Sequence, residues 1–145
     1  MKRFLPFAGV LGVALLLAGC PANVNQRQQV AQAAQNASII VAGFQQGEIV
    51  AFQQGAIPQA DHAFIQKELL AVATVGKTLD SCILVTTTNA GIVACANTAV
   101  SAVDQINTDG GLYLKSDKAR TTFQLAMIGV KTAISVIATI FGGQA

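Results

Sequence analysis

From about residue 25 onward, apolar side chains return at alternating steps of four and three residues. That spacing keeps them on one face of an α-helix and scatters them on both faces of a strand, so the chain is committed to amphipathic helices. Val30, Ala34, Ala37, Val41 and Phe44 set the pattern in a first helix over residues 25–54. Glu48 falls in the next slot and breaks the stripe. The segment Phe44-Gln45-Gln46-Gly47 recurs eight residues later as Phe52-Gln53-Gln54-Gly55. Eight is not a heptad, so the face turns by about 80° between the copies at 3.6 residues per turn, which predicts a bend or a change of partner. The copy displaces the apolar register, and Glu48 reads as the place where it slips rather than as a buried functional carboxylate.

Ala56-Ile57-Pro58 interrupts the chain, and Pro58 is suited to open a second helix. Its stripe is Ile65, Leu69, Val72, Gly76, Leu79 and Ile83. A third helix over residues 89–107 carries Val93, Ala96, Val100 and Val103 and is otherwise rich in small residues. Thr108-Asp109-Gly110-Gly111 reads as its stop and Leu112-Tyr113-Leu114-Lys115 as a connector. Tyr113 there serves equally well as a contact residue or as a cover for the core. Ser116 is a natural N-cap for a fourth helix over residues 116–141, with Asp117 favourable in the first turn. Phe123, Met127, Val130, Ile134, Ile137 and Phe141 form its stripe, and Gly142-Gly143 ends it. Four such helices with short connections predict an all-α, antiparallel four-helix bundle over residues 25–145.

The sequence is 52% hydrophobic and 11% charged. A membrane-embedded chain has this composition, and so does a domain rich in Ala, Gly, Ser, Thr, Asn and Gln. Spaced rather than continuous apolar residues favour the second. The fourth helix invites the first reading too, because residues 123–141 hold one charge, Lys131. Gln124, Lys131, Ser135 and Thr139 nevertheless trace a polar stripe, as a core-facing helix requires.

The N-terminus has a different character. Lys2 and Arg3 precede an apolar run over residues 4–17, which is signal-peptide length and short for a membrane span. Leu17-Ala18-Gly19-Cys20 follows and resembles the lipobox of bacterial lipoproteins. The resemblance covers the first 20 residues. It implies a signal peptide over residues 1–19 cut after Gly19, a diacylglyceryl thioether on Cys20, acylation of the new N-terminus, and a lipidated tether over residues 20–24. Two or three acyl chains burying methylenes at about 0.8 kcal/mol each would hold the protein on the membrane. The implied location is the cell envelope, facing the periplasm or the exterior. Lipoproteins kept in the inner membrane often carry Asp after the cysteine. Here Pro21 stands there, which favours the outer membrane.

Of three cysteines, two remain once Cys20 is assigned to lipid. An even pair in an oxidising compartment reads as a disulfide. Cys82 and Cys95 lie equidistant from the midpoint of a Thr-rich turn, so a helical hairpin brings them side by side. Helix axes usually sit about 8–10 Å apart, while a disulfide wants Cα atoms within about 7 Å. Small residues must therefore line the contact, and Ser81, Gly91, Ala94 and Ala96 are available. Closing this loop is worth about 3 kcal/mol in the chain-entropy picture. Two free buried thiols are the alternative; a redox-active pair wants closer spacing.

Removing Lys2 and Arg3 leaves seven basic against seven acidic residues, with no basic patch for nucleic acid. His62 is the single histidine, with Asp61 beside it and Glu68 two turns on. Such a trio suggests a metal or a proton relay. Adjacent helical residues point about 100° apart, however, and Asp near a helix start is favourable on electrostatic grounds alone. The simpler expectation is a solvated first turn. No phosphate loop, nucleophile elbow or metal-ligand spacing is present. The sequence therefore assigns no catalytic residue, no metal ligand and no cofactor.

The favoured function is a structural or protein-interaction role in the envelope, with an envelope protein or a second copy as partner. The alternatives are a binder of a small hydrophobic ligand or lipid, and a membrane-active lipoprotein using the helix over residues 116–141. An enzyme is disfavoured. The anchor has a direct check: Cys20→Ala abolishes metabolic palmitate labelling, and labelling that persists refutes the lipobox reading.

Overall fold

The computed structural model describes residues 24–143. The predicted signal peptide, Cys20 and most of the tether lie outside the described residues. Four helices fill the rest: α1 (Val24–Gln53), α2 (Gln59–Val85), α3 (Asn89–Tyr113) and α4 (Asp117–Gly142). No strand occurs among the described residues. The chain is an antiparallel four-helix bundle, the architecture its periodicity predicts.

The connections have local causes. After α1, Gly55 turns the chain with φ of 73°, a conformation that costs glycine no Cβ clash. Pro58 then sits extended at the N-cap of α2 (φ −62°, ψ 151°). Thr88 caps α3 by accepting a hydrogen bond from Gly91 N–H at 3.1 Å. Ser116 caps α4 through the N–H of Ala119 at 3.4 Å. Both caps satisfy donors that a helix start leaves open.

α4 is the spine. All six residues of its predicted stripe are buried, and Phe123 and Met127 are 0% exposed. Each such side chain is worth about 1.5–3 kcal/mol when taken out of water. Phe123 touches every other helix. Phe44 of α1 meets it edge-on with ring centroids 5.8 Å apart. Phe64 of α2 meets it at 6.5 Å. Gly110 of α3 lies directly against its ring. On the outer side, Lys131 pairs with Asp104 of α3 at 2.8 Å.

That packing overturns one sequence expectation. Gly110-Gly111 does not stop α3, which continues to Tyr113. A Cβ at position 110 would overlap the Phe123 ring carbons, so the glycine admits the ring rather than ending the helix. Leu114, 1% exposed, plugs this end of the core, while Tyr113 stands outside it beside Phe64, ring centroids 5.8 Å apart.

The two ends of the bundle are fastened differently. At one pole Cys82 and Cys95 form a disulfide with Cα atoms 5.9 Å apart. Gly91 lies against the Thr86 side chain beside it and Ala96 is fully buried, whereas Ser81 and Ala94 are exposed. Gly142 of α4 lies against Val93 nearby. At the other pole Asp61, 1% exposed, accepts hydrogen bonds from the backbone N–H of Lys115 (3.1 Å) and Ser116 (2.8 Å). Arg120 donates to the Leu114 carbonyl at 2.8 Å and 3.2 Å. The Asp61 bonds fix the α3–α4 connector to the start of α2, and the Arg120 bonds fix it to α4.

Because the Phe123 ring occupies the space that a side chain at 110 needs, Gly110→Ala is expected to cost about 2–3 kcal/mol, the scale of an overpacked core. Gly43→Ala, with open space around it, gains a few tenths to about 1 kcal/mol from helix propensity. Urea unfolding of both variants checks the contrast; a Gly110→Ala protein as stable as wild type contradicts the Phe123 seat.

Candidate functional site

Three of the helix pairs pack closely: α1 with α4, α4 with α3, and α3 with α2. α1 and α2 barely touch. The functional candidates lie along α1, on either side of it.

At the lower end of the α1–α2 seam is a polar clamp. Glu48 of α1 has a side chain that is 0% exposed. Its Oε1 accepts a hydrogen bond from His62 Nδ1 at 2.5 Å, and its Oε2 accepts one from Gln66 Nε2 at 2.9 Å. Phe52, one turn after Glu48, stacks on the His62 ring with centroids 3.9 Å apart and planes 4° from parallel. Each helix thus supplies two side chains four residues apart, which share a face. The two interlock: carboxylate against imidazole and amide, ring against ring. A carboxylate only accepts, so Nδ1 carries the hydrogen in this contact.

Glu48 therefore keeps its place in the α1 stripe instead of marking a slip. The Phe-Gln-Gln-Gly repeat does change partners: Phe44 faces α4 and Phe52 faces α2. A buried carboxylate needs such partners, because an isolated one is too costly to desolvate.

The predicted solvated first turn of α2 is also corrected. Asp61 is buried against the α3–α4 connector and His62, half-buried, packs against α1, so the two diverge as their 100° separation requires. Glu68 is buried too, with Lys67 Nζ at 3.3 Å. Among the described residues no three His, Cys, Asp or Glu side chains gather to hold a metal ion. The clamp has the parts to hold an imidazole for proton transfer, but both carboxylate oxygens are taken up in joining the helices.

Above the clamp the seam opens into an apolar slot of about 50 Å³. Ala33, Ala37 and Val41 of α1 face Val72, Gly76 and Leu79 of α2 across it, over a floor of Val103, Val130 and Ile134. Gly76, without a side chain, leaves space here, and Val103 is the contribution of α3 to the floor. Asp80 lines the slot, and its Oδ1 is buried without a hydrogen-bond partner.

On the other side of α1 is a shallow groove of about 480 Å³ against α4. Gln28, Gln29, Gln32 and Asn36 form one wall, and Ala133 and Val136 the other. Ile40 closes on Gly129 farther along. Beside this seam the outer face of α4 exposes Leu125 (64%), Ile128 (52%) and Val136 (42%), with Thr132 between them. These positions follow 3-4-4 spacing and make one stripe. None of the residues in this groove or stripe is charged.

Compared with known proteins, the chain matches no family model, no curated protein and no solved structure.

Removing one partner of the clamp strands a buried charge or leaves a hole. His62→Ala and Glu48→Ala are each expected to lower stability by about 2–4 kcal/mol. Their double mutant should fall short of the summed losses by at least about 1 kcal/mol, the signature of direct coupling. Additive losses in a urea double-mutant cycle at neutral pH sink the clamp.

Proposed function

We propose that this chain is a lipid-anchored lipoprotein with a structural or protein-interaction role in the bacterial cell envelope, and that it meets its partner through the uncharged α1–α4 face. The observation that supports this most is the make-up of that face. An aliphatic stripe of Leu125, Ile128 and Val136 runs beside the Gln and Asn wall of α1. Interface centres are depleted of charge, and exposed apolar patches on soluble domains mark sites of association. Amides at the margin supply donors and acceptors without the desolvation cost of ions. The Leu17-Ala18-Gly19-Cys20 sequence supplies the address, and the acyl chains on Cys20 keep the domain at the membrane where an envelope partner is found.

A second reading takes its support from the α1–α2 slot: a ligand with an apolar body and a donor group that reaches Asp80 Oδ1. The slot, about 50 Å³, is far smaller than the roughly 300–1,000 Å³ of sites for drug-sized ligands. This reading therefore needs α1 to swing away from α2, and lipid extraction of the purified protein tests it.

In-membrane crosslinking of the full-length lipidated protein, read by mass spectrometry, tests the first reading. Wild type is expected to yield one dominant envelope protein, and Ile128→Asp to lower that yield about tenfold, the loss of about 1.4 kcal/mol at a contact. Residue 128 is exposed, so the variant should melt as wild type does. Equal crosslinking by Ile128→Asp removes the α1–α4 face from the proposal, and a crosslink to a second copy makes the role self-association.

A further inference from the structure

The antiparallel packing gathers the start of α1, the α2–α3 turn and the end of α4 at one pole. Cys20 precedes Val24, the first residue of α1, by four residues. That length of chain reaches at most about 14 Å. An anchor at Cys20 is therefore tied to this pole and to no other part of the bundle.

Charge is distributed along the same axis. Residues 81–103 contain no Asp, Glu, Lys or Arg, nor do residues 132–143, and α1 has only Arg27 before Glu48. These stretches make up most of the pole next to the tether; the charged residues nearest it are Arg27 in the first turn of α1 and Asp80, five residues before the end of α2, which lines the α1–α2 slot. The opposite pole holds Asp61, His62, Lys115, Asp117, Lys118 and Arg120. Ion pairs such as Lys131 with Asp104 lie between the two.

This charge-poor pole also has an exposed aliphatic point. At the end of α2, Leu84 is 49% exposed and Val85 82% exposed. Thr86, Thr87 and Thr88 follow, and Thr86 returns its hydroxyl to the Cys82 carbonyl at 2.7 Å. Cys82–Cys95 braces the turn from behind. The aliphatic pair thus stands on a rigid corner bordered by small hydroxyl side chains.

We infer that this pole is a membrane-docking surface. Leu84 and Val85 enter the boundary between headgroups and acyl chains, and the bundle stands upright on the bilayer. The inference rests on the lipid-anchor reading and adds an orientation to it. A charged end held within 14 Å of lipid would resist the low dielectric, whereas aliphatic and hydroxyl groups enter the interface readily. Two aliphatic side chains bind a membrane weakly by themselves. The tether makes their insertion intramolecular, so a weak contact is well populated. An upright bundle would present the α1–α4 face sideways, within reach of a partner in the same membrane. The pole with Asp61 and Arg120 would then stand about 40 Å away, given 1.5 Å of rise per residue.

The chain contains no tryptophan, so single tryptophans report local surroundings without background. Full-length lipidated Val85→Trp and Tyr113→Trp are reconstituted in phosphatidylcholine–phosphatidylglycerol vesicles, with and without brominated acyl chains. Both positions are exposed, and matching helix content confirms the fold of each variant. Val85→Trp is expected to be quenched about twofold or more, with blue-shifted emission, as for a side chain at the acyl boundary. Tyr113→Trp is expected to stay unquenched. If both proteins float with the vesicles yet quench alike, the anchor stands and the docking surface is overturned. If neither floats, the anchor reading falls and takes the orientation with it.

Discussion

Phe123 seated against Gly110 is the contact on which the bundle depends. One aromatic side chain from α4 reaches α3 through the missing Cβ and meets Phe44 of α1 and Phe64 of α2 edge-on. Aromatic rings favour such edge arrangements for electrostatic reasons, beyond the area they bury. The ring fixes the axial positions of all four helices near the pole that also holds Asp61 and Leu114. With that end set, the α4 stripe follows turn by turn down to Phe141, and the disulfide closes the far end of α2 and α3.

The seam between α1 and α2 follows from the side chains there. Ala33, Ala34 and Ala37 are too short to fill the space opposite Gly76 and Val75, so the helices stand apart and leave the slot. Apolar packing alone would give this pair little cohesion. The clamp of Glu48, His62, Gln66 and Phe52 compensates at one point. A polar contact of this kind offers less net stabilisation than a well-packed apolar one, yet it is geometrically demanding. It matches one turn of α1 to one turn of α2 and thereby sets their register where hydrophobic contact would tolerate a slide.

How legible all this was depends on where each residue's partner lies. The α4 stripe was readable in full, because one continuous face meets the core and hydrophobicity alone records it. The Cys82–Cys95 pair was readable because a turn with a clear midpoint places both residues. Glu48 looks like a break in the stripe because periodicity registers polarity, while its burial is decided by His62 and Gln66 on the next helix. Gly110 is ambiguous for a similar reason, since a glycine that ends a helix and one that admits a ring look alike until Phe123 is in place. Asp61 reads as a surface residue of its own helix, whereas its partners are backbone groups 54 and 55 residues away. The uncharged stripe on α4 left a trace in its Thr, Leu and Ile spacing, which the stronger core signal of the same helix obscured.

The scarcity of charge links the fold to the proposed role. A free domain with near-zero net charge and two uncharged surfaces is prone to associate without selection. Tethered to a bilayer by one end, the same domain has one of those surfaces turned to lipid and is left with one to offer. Most of its charges then sit where they serve solubility best, away from the anchored pole. Uncharged amides beside an aliphatic stripe leave the remaining face with little electrostatic steering, so encounter would be governed by shared confinement in the membrane rather than by long-range attraction. On the proposed reading the lipid anchor is part of the recognition itself: cut from it, the domain should keep its fold and lose most of its effective affinity for a membrane-bound partner.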